Sequence, residues 1–384
     1  MESSQLELNS KLLNSCYDGN SELVQKLLDS GATVFCSDET GRTPLHFAAA
    51  SGDVKTIECV LNAGIPWNSI DDGKYSAGDY ALQTANSKKA YDYLVDFGYK
   101  TELVLKKLGK SNVPITTVDT STDEFKSIKE NNEVPQDLGK EASIDKDNIS
   151  NIDYLNAPIT YIGDRLLDAQ NNGVMMEWEE PIMYQHALAM CKRNDELPTS
   201  TSEPKLKVLN VGFGMGIIDS ILQTFNPKLH VIVEAHKDVY NFMISQGWDK
   251  KPNVIILFGR WQDKLSELQK IGKFDAIFFD TFGEFYQDLH QFHTSIFGTK
   301  DKILLEPTGI YSFFNGLGGH NLLFHDVYCK VVNYDLNLLG VDTKFVPVVV
   351  DDDSISEEAW KGINRPYWML QQYNLPICTL KNQS

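Results

Sequence analysis

The 384-residue sequence lacks several features that would each indicate a particular class of protein. No apolar run approaches the ~20 residues that a helix needs to span a bilayer, which argues against a membrane protein. The first residues, Met1 to Ser4, have neither a basic start nor an apolar core, so we expect no signal peptide. The six cysteines form no C-x-x-C pair and have no metal-like spacing with histidine. This predicts free thiols, no metal site and a reducing compartment, the cytoplasm or also the nucleus.

Basic residues are scarce relative to acidic ones. The chain has 35 Lys and Arg against 53 Asp and Glu, a net charge of −18 at pH 7. Such a charge repels phosphates, which argues against direct binding of nucleic acid, and it favours cationic partners such as a basic protein substrate. With 42% hydrophobic and 23% charged residues, the composition is otherwise that of a globular protein long enough for two domains.

The first hundred residues contain an internal repeat. The segment from Leu27 to Ala32 returns in altered form from Val60 to Ile65, 33 residues later. Between them, Thr43-Pro44-Leu45-His46-Phe47-Ala48 matches the ankyrin signature T-P-L-H-x-A, and the segment from Ser76 to Ala81 replaces it in a third unit. The pattern predicts an all-α ankyrin-repeat domain of about three helical pairs over residues 1–107. Such a domain either binds a protein partner or is a docked accessory domain.

A polar stretch separates this region from an α/β pattern. Residues 108–150 are rich in Asn, Asp, Ser, Thr, Lys and Glu, which predicts a linker with one short helix near 122–130. From 151 to 384, strand-like and helical patterns alternate, which predicts a doubly wound sheet. We expect strands at 207–211, 230–234, 253–258, 274–279 and 309–314, helices at about 217–225, 237–246 and 262–271, and an antiparallel edge hairpin from 344–350 and 367–380.

A glycine-spaced turn, Gly212-Phe213-Gly214-Met215-Gly216, follows the first of these strands. Glycines at such a turn let the backbone approach a ligand and begin a helix whose amides point at it. A dinucleotide fingerprint would need glycine or alanine where the chain has Ile217, whereas G-x-G-x-G is the commoner form in S-adenosylmethionine (AdoMet) methyltransferases. Glu234, at the end of the next strand, is placed to bind ribose hydroxyls. The turn therefore predicts an AdoMet site.

Two carboxylates are candidate catalytic groups. Asp280 ends the predicted strand 274–279, although a helix cap or a structural ion pair would also explain an acid there. Glu179 lies in Glu177-Trp178-Glu179-Glu180-Pro181, whose acids would otherwise be solvated charges at a helix start. Two carboxylates at one cleft suit a guanidinium substrate, because its planar fork of N–H donors binds carboxylates in bidentate fashion. They would also orient the weakly nucleophilic nitrogen and accept the released proton.

Together these segments resemble guanidinoacetate methyltransferase and, more closely, its fungal relatives, the ankyrin-containing protein arginine N5-methyltransferases. The segments that carry the resemblance are 174–183, 212–216, 234–236, 259–262 and 279–281. The resemblance implies a class I AdoMet methyltransferase fold and methyl transfer to the δ-nitrogen of arginine in a basic protein, with a ribosomal protein suggested. The double-glutamate loop of the ω-nitrogen arginine methyltransferases is not found in the sequence, which fits attack by the δ-nitrogen.

The resemblance also implies roles for individual residues. Glu179 and Asp280 would hold the guanidinium. The residues expected to contact AdoMet are Tyr161, Met175, Met183, Phe213, Gly214, Met215, Gly216, Ile217, Ile218, Glu234, Ala235, His236, Trp261, Gln262 and Asp280. Tyr154 aligns with the cofactor-binding tyrosine of the family almost as well as Tyr161 does. His290 or His293 would be a base in one interpretation and a packed or surface histidine in the other.

Two further functions remain open on the sequence. One is a small-molecule guanidino N-methyltransferase, although such an enzyme would not need the ankyrin region. The other is a non-enzymatic ankyrin interaction protein that retains an AdoMet-binding fold, although a silent site has no reason to keep both Glu179 and Asp280.

Overall fold

The computed structural model describes residues 2–108, 151–192, 205–282, 286–299, 303–351, 353, 356 and 358–381. The chain forms two units, Met1–Ile144 with Gly318–Val331, and Asp145–Leu317 with Val332–Ser384. The predicted linker, 108–150, and its short helix lie outside the described residues except for Leu108, so the predicted boundary at 150 stays a prediction. The segment Gly318–Val331, which we expected within the α/β domain, groups with the first unit.

Three helical pairs form the first unit, as the repeat predicts. They are α1 (Glu2–Tyr17) with α2 (Ser21–Asp29), α3 (Pro44–Ser51) with α4 (Val54–Asn62), and α5 (Ala77–Gln83) with α6 (Lys88–Lys107). The side chains of Asn20, Asp53 and Ser87 accept hydrogen bonds from backbone amides at the starts of α2, α4 and α6. The apolar faces of the pairs meet in one core that includes Leu12, Val24, Leu45, Ile57 and Leu94.

The ankyrin signature has a structural role in this unit. Pro44 begins α3, and Nδ1 of the buried His46 accepts a hydrogen bond from the amide of Thr43 at 3.0 Å. Nε2 of His46 lies 3.1 Å from the carbonyl oxygen of Tyr75. Because a carbonyl can only accept, Nε2 carries the proton, and the ring joins the start of α3 to the loop before α5. Burial lowers the pKa of His46, which keeps the ring neutral.

The second unit begins with short elements and then follows the doubly wound pattern. Its first elements are α7 (Asn151–Asn156), β1 (Thr160–Ile162), β2 (Arg165–Leu167), β3 (Gly173–Met176) and α8 (Glu180–Cys191). The strands of the large sheet are β4 (Lys207–Val211), β5 (Leu229–Glu234), β6 (Val254–Phe258), β7 (Phe274–Phe279), β8 (Leu305–Phe313), β9 (Val341–Val349) and β10 (Gln372–Leu380). The helices between them are α9 (Ile217–Thr224), α10 (Lys237–Ser245), α11 (Trp261–Ile271), α12 (Tyr286–Phe297) and α13 (Leu322–Leu338), of which residues 322–331 belong to the first unit.

Strand order places the ligand-binding edge of the sheet. The order is β6-β5-β4-β7-β8-β10-β9, with β4 to β8 parallel and β10 antiparallel to both β8 and β9. In this register Val211 lies opposite both Val233 and Phe279. The chain moves outward from β4 to β6 and then returns to β7 on the other side of β4, which creates a topological switch point. The predicted class I methyltransferase-like α/β fold with an all-α ankyrin-repeat region is confirmed.

The observed elements differ from the predicted ones at several places, three of which lie in the sheets. β8 begins at Leu305 rather than at 309, because the polar start of the strand looks like a loop but pairs with β7 across an irregular register. β10 begins at Gln372 rather than at 367, and Tyr367 lies in the connection before it. The small antiparallel sheet β1-β2-β3 was not predicted, since strands of three or four residues are too short to show a period.

Two findings concern the membrane and the cysteines. Among the described residues, no helix has both the length and the apolar character of a membrane span. All six cysteines lie in the described part of the chain, and none of them forms a disulfide bond.

Candidate active site

The glycine turn is built so that side chains are excluded at three positions. Gly212, Gly214 and Gly216 have φ values of 95°, 55° and 74°, in the left-handed region that disfavours other residues. A Cβ atom on Gly212 would lie 1.7 Å from the carbonyl oxygen of Asp280, and one on Gly216 would lie 2.3 Å from the ring of Phe213. The turn therefore needs glycine for its backbone conformation and for its close contact with the strand end at Asp280.

A cavity lies at this edge of the sheet, beside the glycine turn. The predicted cofactor residues that line it are Met175, Gly214, Glu234, Ala235, Trp261, Gln262 and Asp280. They come from the ends of β3, β4, β5, β6 and β7, so the parallel register brings together residues that are far apart in sequence. The predicted cleft at the strand ends is therefore present.

The other predicted cofactor residues do not line this cavity, and their contacts with a cofactor stay predictions. Met183, Phe213 and Ile218 are buried in the hydrophobic core beneath the turn. Met215, Gly216 and Ile217 face a separate groove on the outer side of the turn. His236 is buried and caps α10, where its Nδ1 accepts from the amide of Asp238, and its Nε2 lies 3.0 Å from the carbonyl oxygen of Ala157.

Of the two tyrosines that the sequence left open, Tyr154 lines the cavity and Tyr161 does not. The ring of Tyr154 stacks on Phe282 with a centroid distance of 3.9 Å. The hydroxyl of Tyr161 donates to the carbonyl oxygen of Gly214 at 3.0 Å, and its ring stacks on Phe242. Tyr161 thus supports the glycine turn, whereas Tyr154 is placed to contact a ligand.

Glu234 ends β5 at the wall of the cavity. Its Oε2 accepts a hydrogen bond from the amide of Phe213 at 2.8 Å, and its Oε1 accepts one from the amide of His236 at 2.6 Å. Burial raises the pKa of Glu234, and the hydrogen bonds oppose that shift. Each carboxylate oxygen has two lone pairs, so the group keeps acceptor capacity for the two hydroxyls of a ribose.

Trp261, at the first position of α11, forms an aromatic wall of the cavity. It is 6% exposed and packs edge-on against Phe279 and Phe292, with centroid distances of 6.4 and 5.1 Å. Gln262 follows it at the rim. A flat, rigid aromatic face next to an amide side chain suits a purine ring.

The two candidate carboxylates are neighbours, and one of them borders the cavity. Asp280 lines it, and Glu179, 2% exposed, is close enough for the charge of Asp280 to act on it. Burial raises the pKa of both groups, and for Glu179 the charge of Asp280 raises the pKa further. Oε1 of Glu179 accepts hydrogen bonds from the amide of Met176, at 3.0 Å, and from the hydroxyl of Tyr367.

These observations test two of the alternatives for the acids, a solvated helix-start charge for Glu179 and an ion pair for Asp280. Glu177 and Glu180 are exposed, as solvated charges at a helix start would be, whereas Glu179 between them is buried. Within the described residues, neither Glu179 nor Asp280 forms a salt bridge. A structural ion pair with a described cation is therefore excluded for Asp280.

His290 and His293 lie on α12 and are buried. Nε2 of His293 is 2.9 Å from the hydroxyl of Tyr311, and Nδ1 of His290 is 3.5 Å from Asp335. Neither ring lines the cavity. Both are packed histidines, the simpler of the two interpretations.

Some residues of the site were missed by sequence reasoning. Phe282 and Asp288 line the cavity, and Tyr367 contacts Glu179. The sequence around Tyr367 did contain an indication of its position. Pro366 is followed by two aromatic residues, which indicates a loop with buried side chains rather than the start of a strand.

Comparison with known proteins places this chain in a family. The family described as guanidinoacetate N-methyltransferase matches residues 148–334, and ankyrin repeats in three copies match residues 12–104. A protein of Emericella nidulans named protein arginine N-methyltransferase 2 is 36% identical over 393 residues, 88% of each chain. Proteins of the same name in Saccharomyces cerevisiae and Cryptococcus neoformans are 34% and 31% identical, and the latter match covers 99% of this chain and 97% of the relative.

The chain belongs to this family of fungal proteins. Membership extends over both units, since the three relatives are matched along 83% to 97% of their own length. Their shared name specifies arginine but not which of its nitrogens. The segment that matches the methyltransferase family, residues 148–334, contains the glycine turn and both candidate carboxylates.

Proposed function

We propose that this protein transfers the methyl group of AdoMet to the δ-nitrogen of arginine residues in a basic protein. The observation that carries the proposal is a pair of neighbouring carboxylates, the buried Glu179 and the half-buried Asp280, of which Asp280 lines the cavity. Two neighbouring like charges destabilise each other, and no salt bridge from a described residue offsets them. A guanidinium group offers both the opposite charge and the N–H donors that such a pair needs.

The residues of the turn fit AdoMet as the cofactor. Gly212 and Gly214 let a ligand come close to the backbone, and Glu234 offers acceptors to ribose hydroxyls. Trp261 and Gln262 would flank the adenine, and Met175 with Tyr154 would close over the cofactor. When bound, AdoMet supplies a methyl group activated by its sulfonium.

The two carboxylates overcome the weak nucleophilicity of the guanidinium. Hydrogen bonds from its outer nitrogens to Glu179 and Asp280 concentrate the positive charge on those nitrogens and leave more electron density on the attacking one. The lone pair of that nitrogen would form the new N–C bond as the bond between the methyl carbon and the sulfonium sulfur breaks, and the sulfur would keep the electron pair of the broken bond. Because the product is again a guanidinium, one proton must leave the nitrogen, and a carboxylate of the pair can accept it.

Arginine in a protein is favoured as the substrate by the family and by charge. The relatives are named for protein arginine methylation, and the net charge of −18 favours a basic partner. The sequence lacks the double-glutamate loop of the ω-nitrogen enzymes, which supports the δ-nitrogen. A ribosomal protein of the cytoplasm or nucleus would meet these requirements, and the ankyrin-repeat unit would bind it or a further protein partner.

The test is identification of the methylated product. The purified protein is incubated with a fungal cell extract and methyl-tritiated AdoMet, and the labelled protein is hydrolysed to identify the methylarginine isomer. We expect δ-N-methylarginine in a basic protein and no label with the Asp280→Asn variant. Label in ω-N-methylarginine would overturn the choice of nitrogen. AdoMet binding in calorimetry without any methyl transfer would favour the non-enzymatic alternative.

A second candidate function is methylation of a small guanidino compound. The match of residues 148–334 to the guanidinoacetate N-methyltransferase family favours it. Offering guanidinoacetate beside the basic protein extract separates the two functions. We expect the protein substrate to be methylated with a kcat/KM at least about tenfold higher, because only a polypeptide can make contacts beyond the guanidino group.

A further inference from the structure

Tyr367 is a buried contact of the acid pair that comes from a distant part of the chain. It lies in the connection between β9 and β10, 188 residues from Glu179, and its hydroxyl donates to Oε1 of Glu179. Its ring packs edge-on against Trp360, with a centroid distance of 5.0 Å, and against Phe314 at 6.5 Å. Aromatic packing therefore holds the hydroxyl in place against the carboxylate.

The hydrogen bonds of Glu179 are unevenly distributed between its two oxygens. The amide of Met176 and the hydroxyl of Tyr367 both donate to Oε1. No residue in the described part of the chain donates to Oε2. One oxygen of the carboxylate is thus anchored to the protein, and the other keeps its lone pairs for a substrate.

The hydroxyl of Tyr367 acts on Glu179 only as a donor. Burial and the negative charges of Glu179 and Asp280 raise the pKa of Tyr367 far above its ordinary value, so the phenol stays protonated. A donor stabilises the ionised form of the carboxylate that accepts from it. Tyr367 and the amide of Met176 therefore lower the pKa of Glu179, against burial and Asp280, which raise it.

We propose that Tyr367 is a positioning residue that favours the ionised form of Glu179 and holds the carboxylate turned so that Oε2 faces the guanidinium. The proposal deepens the proposed methyl transfer to arginine and rests on it. Tyr367 itself touches neither the methyl group nor the attacking nitrogen. Its effect reaches the reaction through the charge and orientation of Glu179.

Gly173, the first residue of β3, provides the space that Tyr367 needs. A Cβ atom at this position would lie 2.9 Å from Cε1 of the Tyr367 ring. The backbone of Gly173 is not in the left-handed region, so alanine is compatible with its conformation. Gly173→Ala should therefore displace the ring of Tyr367 and little else.

The first test is the pH dependence of kcat/KM for the Tyr367→Phe variant on the basic protein substrate. The phenylalanine ring preserves the packing and removes only the donor. We expect kcat/KM near neutral pH to fall about tenfold. The acid limb of the profile should move to higher pH, because Glu179 is then harder to ionise, and activity should recover toward wild type at alkaline pH. A loss that is equal at all pH values, or an unchanged profile, would overturn the proposal.

Two further variants separate positioning from general damage. Gly173→Ala should shift the acid limb in the same direction, and the double variant Gly173→Ala/Tyr367→Phe should be no worse than Tyr367→Phe alone, since both act on one contact. The matched control is Tyr184→Phe, an exposed tyrosine on α8, which should leave the profile unchanged. Full additivity in the double variant would contradict the shared contact.

A measurement without turnover distinguishes a failure of the role of Tyr367 from a failure of the proposed function. The infrared carbonyl band of protonated Glu179, assigned by its absence in Glu179→Gln, is followed against pH in wild type and in Tyr367→Phe. We expect the band to persist to higher pH in the variant, and an identical titration would overturn the role of Tyr367. If wild type makes no methylarginine but this shift is seen, only the proposed function fails.

Discussion

Buried acids serve opposite purposes in the two units of this protein. In the ankyrin-repeat unit, Asp71 is 6% exposed, and each of its oxygens has its own donor, the amide of Tyr75 at 2.9 Å and the hydroxyl of Tyr80 at 2.6 Å. In the second unit, Glu179 is also buried, but both of its hydrogen bonds end on one oxygen and another carboxylate lies nearby. A buried acid with a hydrogen-bond donor on each oxygen stabilises a loop. Two neighbouring carboxylates, one of which has an oxygen without a donor, indicate a binding site for a cation.

Glycines show the same contrast. Gly64 in the first unit and Gly212 in the second have nearly equal φ values, 94° and 95°. A Cβ atom on Gly64 would meet nothing within 4 Å, whereas one on Gly212 would lie 1.7 Å from the carbonyl oxygen of Asp280. Gly64 is required only for its conformation, and Gly212 is required for conformation and for close packing at the site.

The largest effect is expected from Asp280→Asn. The amide keeps the size of the side chain but removes its charge, so we expect kcat to fall about 1000-fold on the basic protein substrate. AdoMet binding, measured by calorimetry, should remain within about threefold of wild type, because Glu234 and the glycine turn are unchanged. The neutral amide at Asp71→Asn is the matched comparison in the other unit, and it should leave kcat unchanged. Comparable losses in the two variants would remove the distinction between the acids.

Smaller effects are expected from alanine at Gly64 and Gly212, and the two variants should differ in AdoMet affinity. Gly64→Ala should reduce stability by about 1 kcal/mol, the cost of a non-glycine residue at positive φ, and leave AdoMet affinity unchanged. Gly212→Ala should weaken AdoMet binding about 100-fold or more, because the turn must move away from Asp280 to admit the methyl group. Calorimetry and thermal unfolding measure both quantities. Equal AdoMet affinity in the two variants would show that the close contact at Gly212 does not matter.

A still smaller effect is expected on how the folding stability of the protein changes with pH. The pKa values of Glu179 and Asp280 are raised in the folded state, so the folded protein binds more protons than the unfolded chain. Stability should therefore fall as pH rises above the ordinary carboxyl value near 4 and through the raised values. Asp280→Asn removes part of this penalty, so its Tm should exceed that of wild type by about 2–4 °C at pH 8 and by less at pH 5. A Tm difference that does not depend on pH would contradict the burial of charge at the site.

The smallest effect on activity is expected from Asp71→Ala. Loss of both hydrogen bonds leaves the hydroxyl of Tyr80 and the amide of Tyr75 without their acceptor, which should destabilise the ankyrin-repeat unit by about 2 kcal/mol. Chemical denaturation measures this cost. Because Asp71 lies in the first unit, kcat on free guanidino compounds should change less than about twofold. A larger change in kcat would mean that the chemistry depends on the order of the repeats.

Local patterns predicted most of the scaffold. The predicted strands 207–211 and 274–279 have the observed bounds, because a buried parallel strand is a continuous apolar run that ends at a turn. The signature around His46 and the glycine turn were also recognisable, since each depends on backbone conformations set by a few neighbouring residues. The burial of Phe213, Met183 and Ile218 in the core was not predicted, because a periodic pattern does not show which side of a loop faces the core.

The sequence by itself determined the two kinds of unit, the position of the glycine turn and the two acids that end up together. These follow from hydrogen bonding and apolar periodicity over a few residues. Only the tertiary structure decided that Tyr154 rather than Tyr161 lines the cavity, and that Tyr367 reaches Glu179 across 188 residues. Such contacts depend on how the sheet, its loops and the short strands β1 to β3 pack. The physical reason is that packing joins surfaces from distant segments, and no local propensity encodes which side chains will meet.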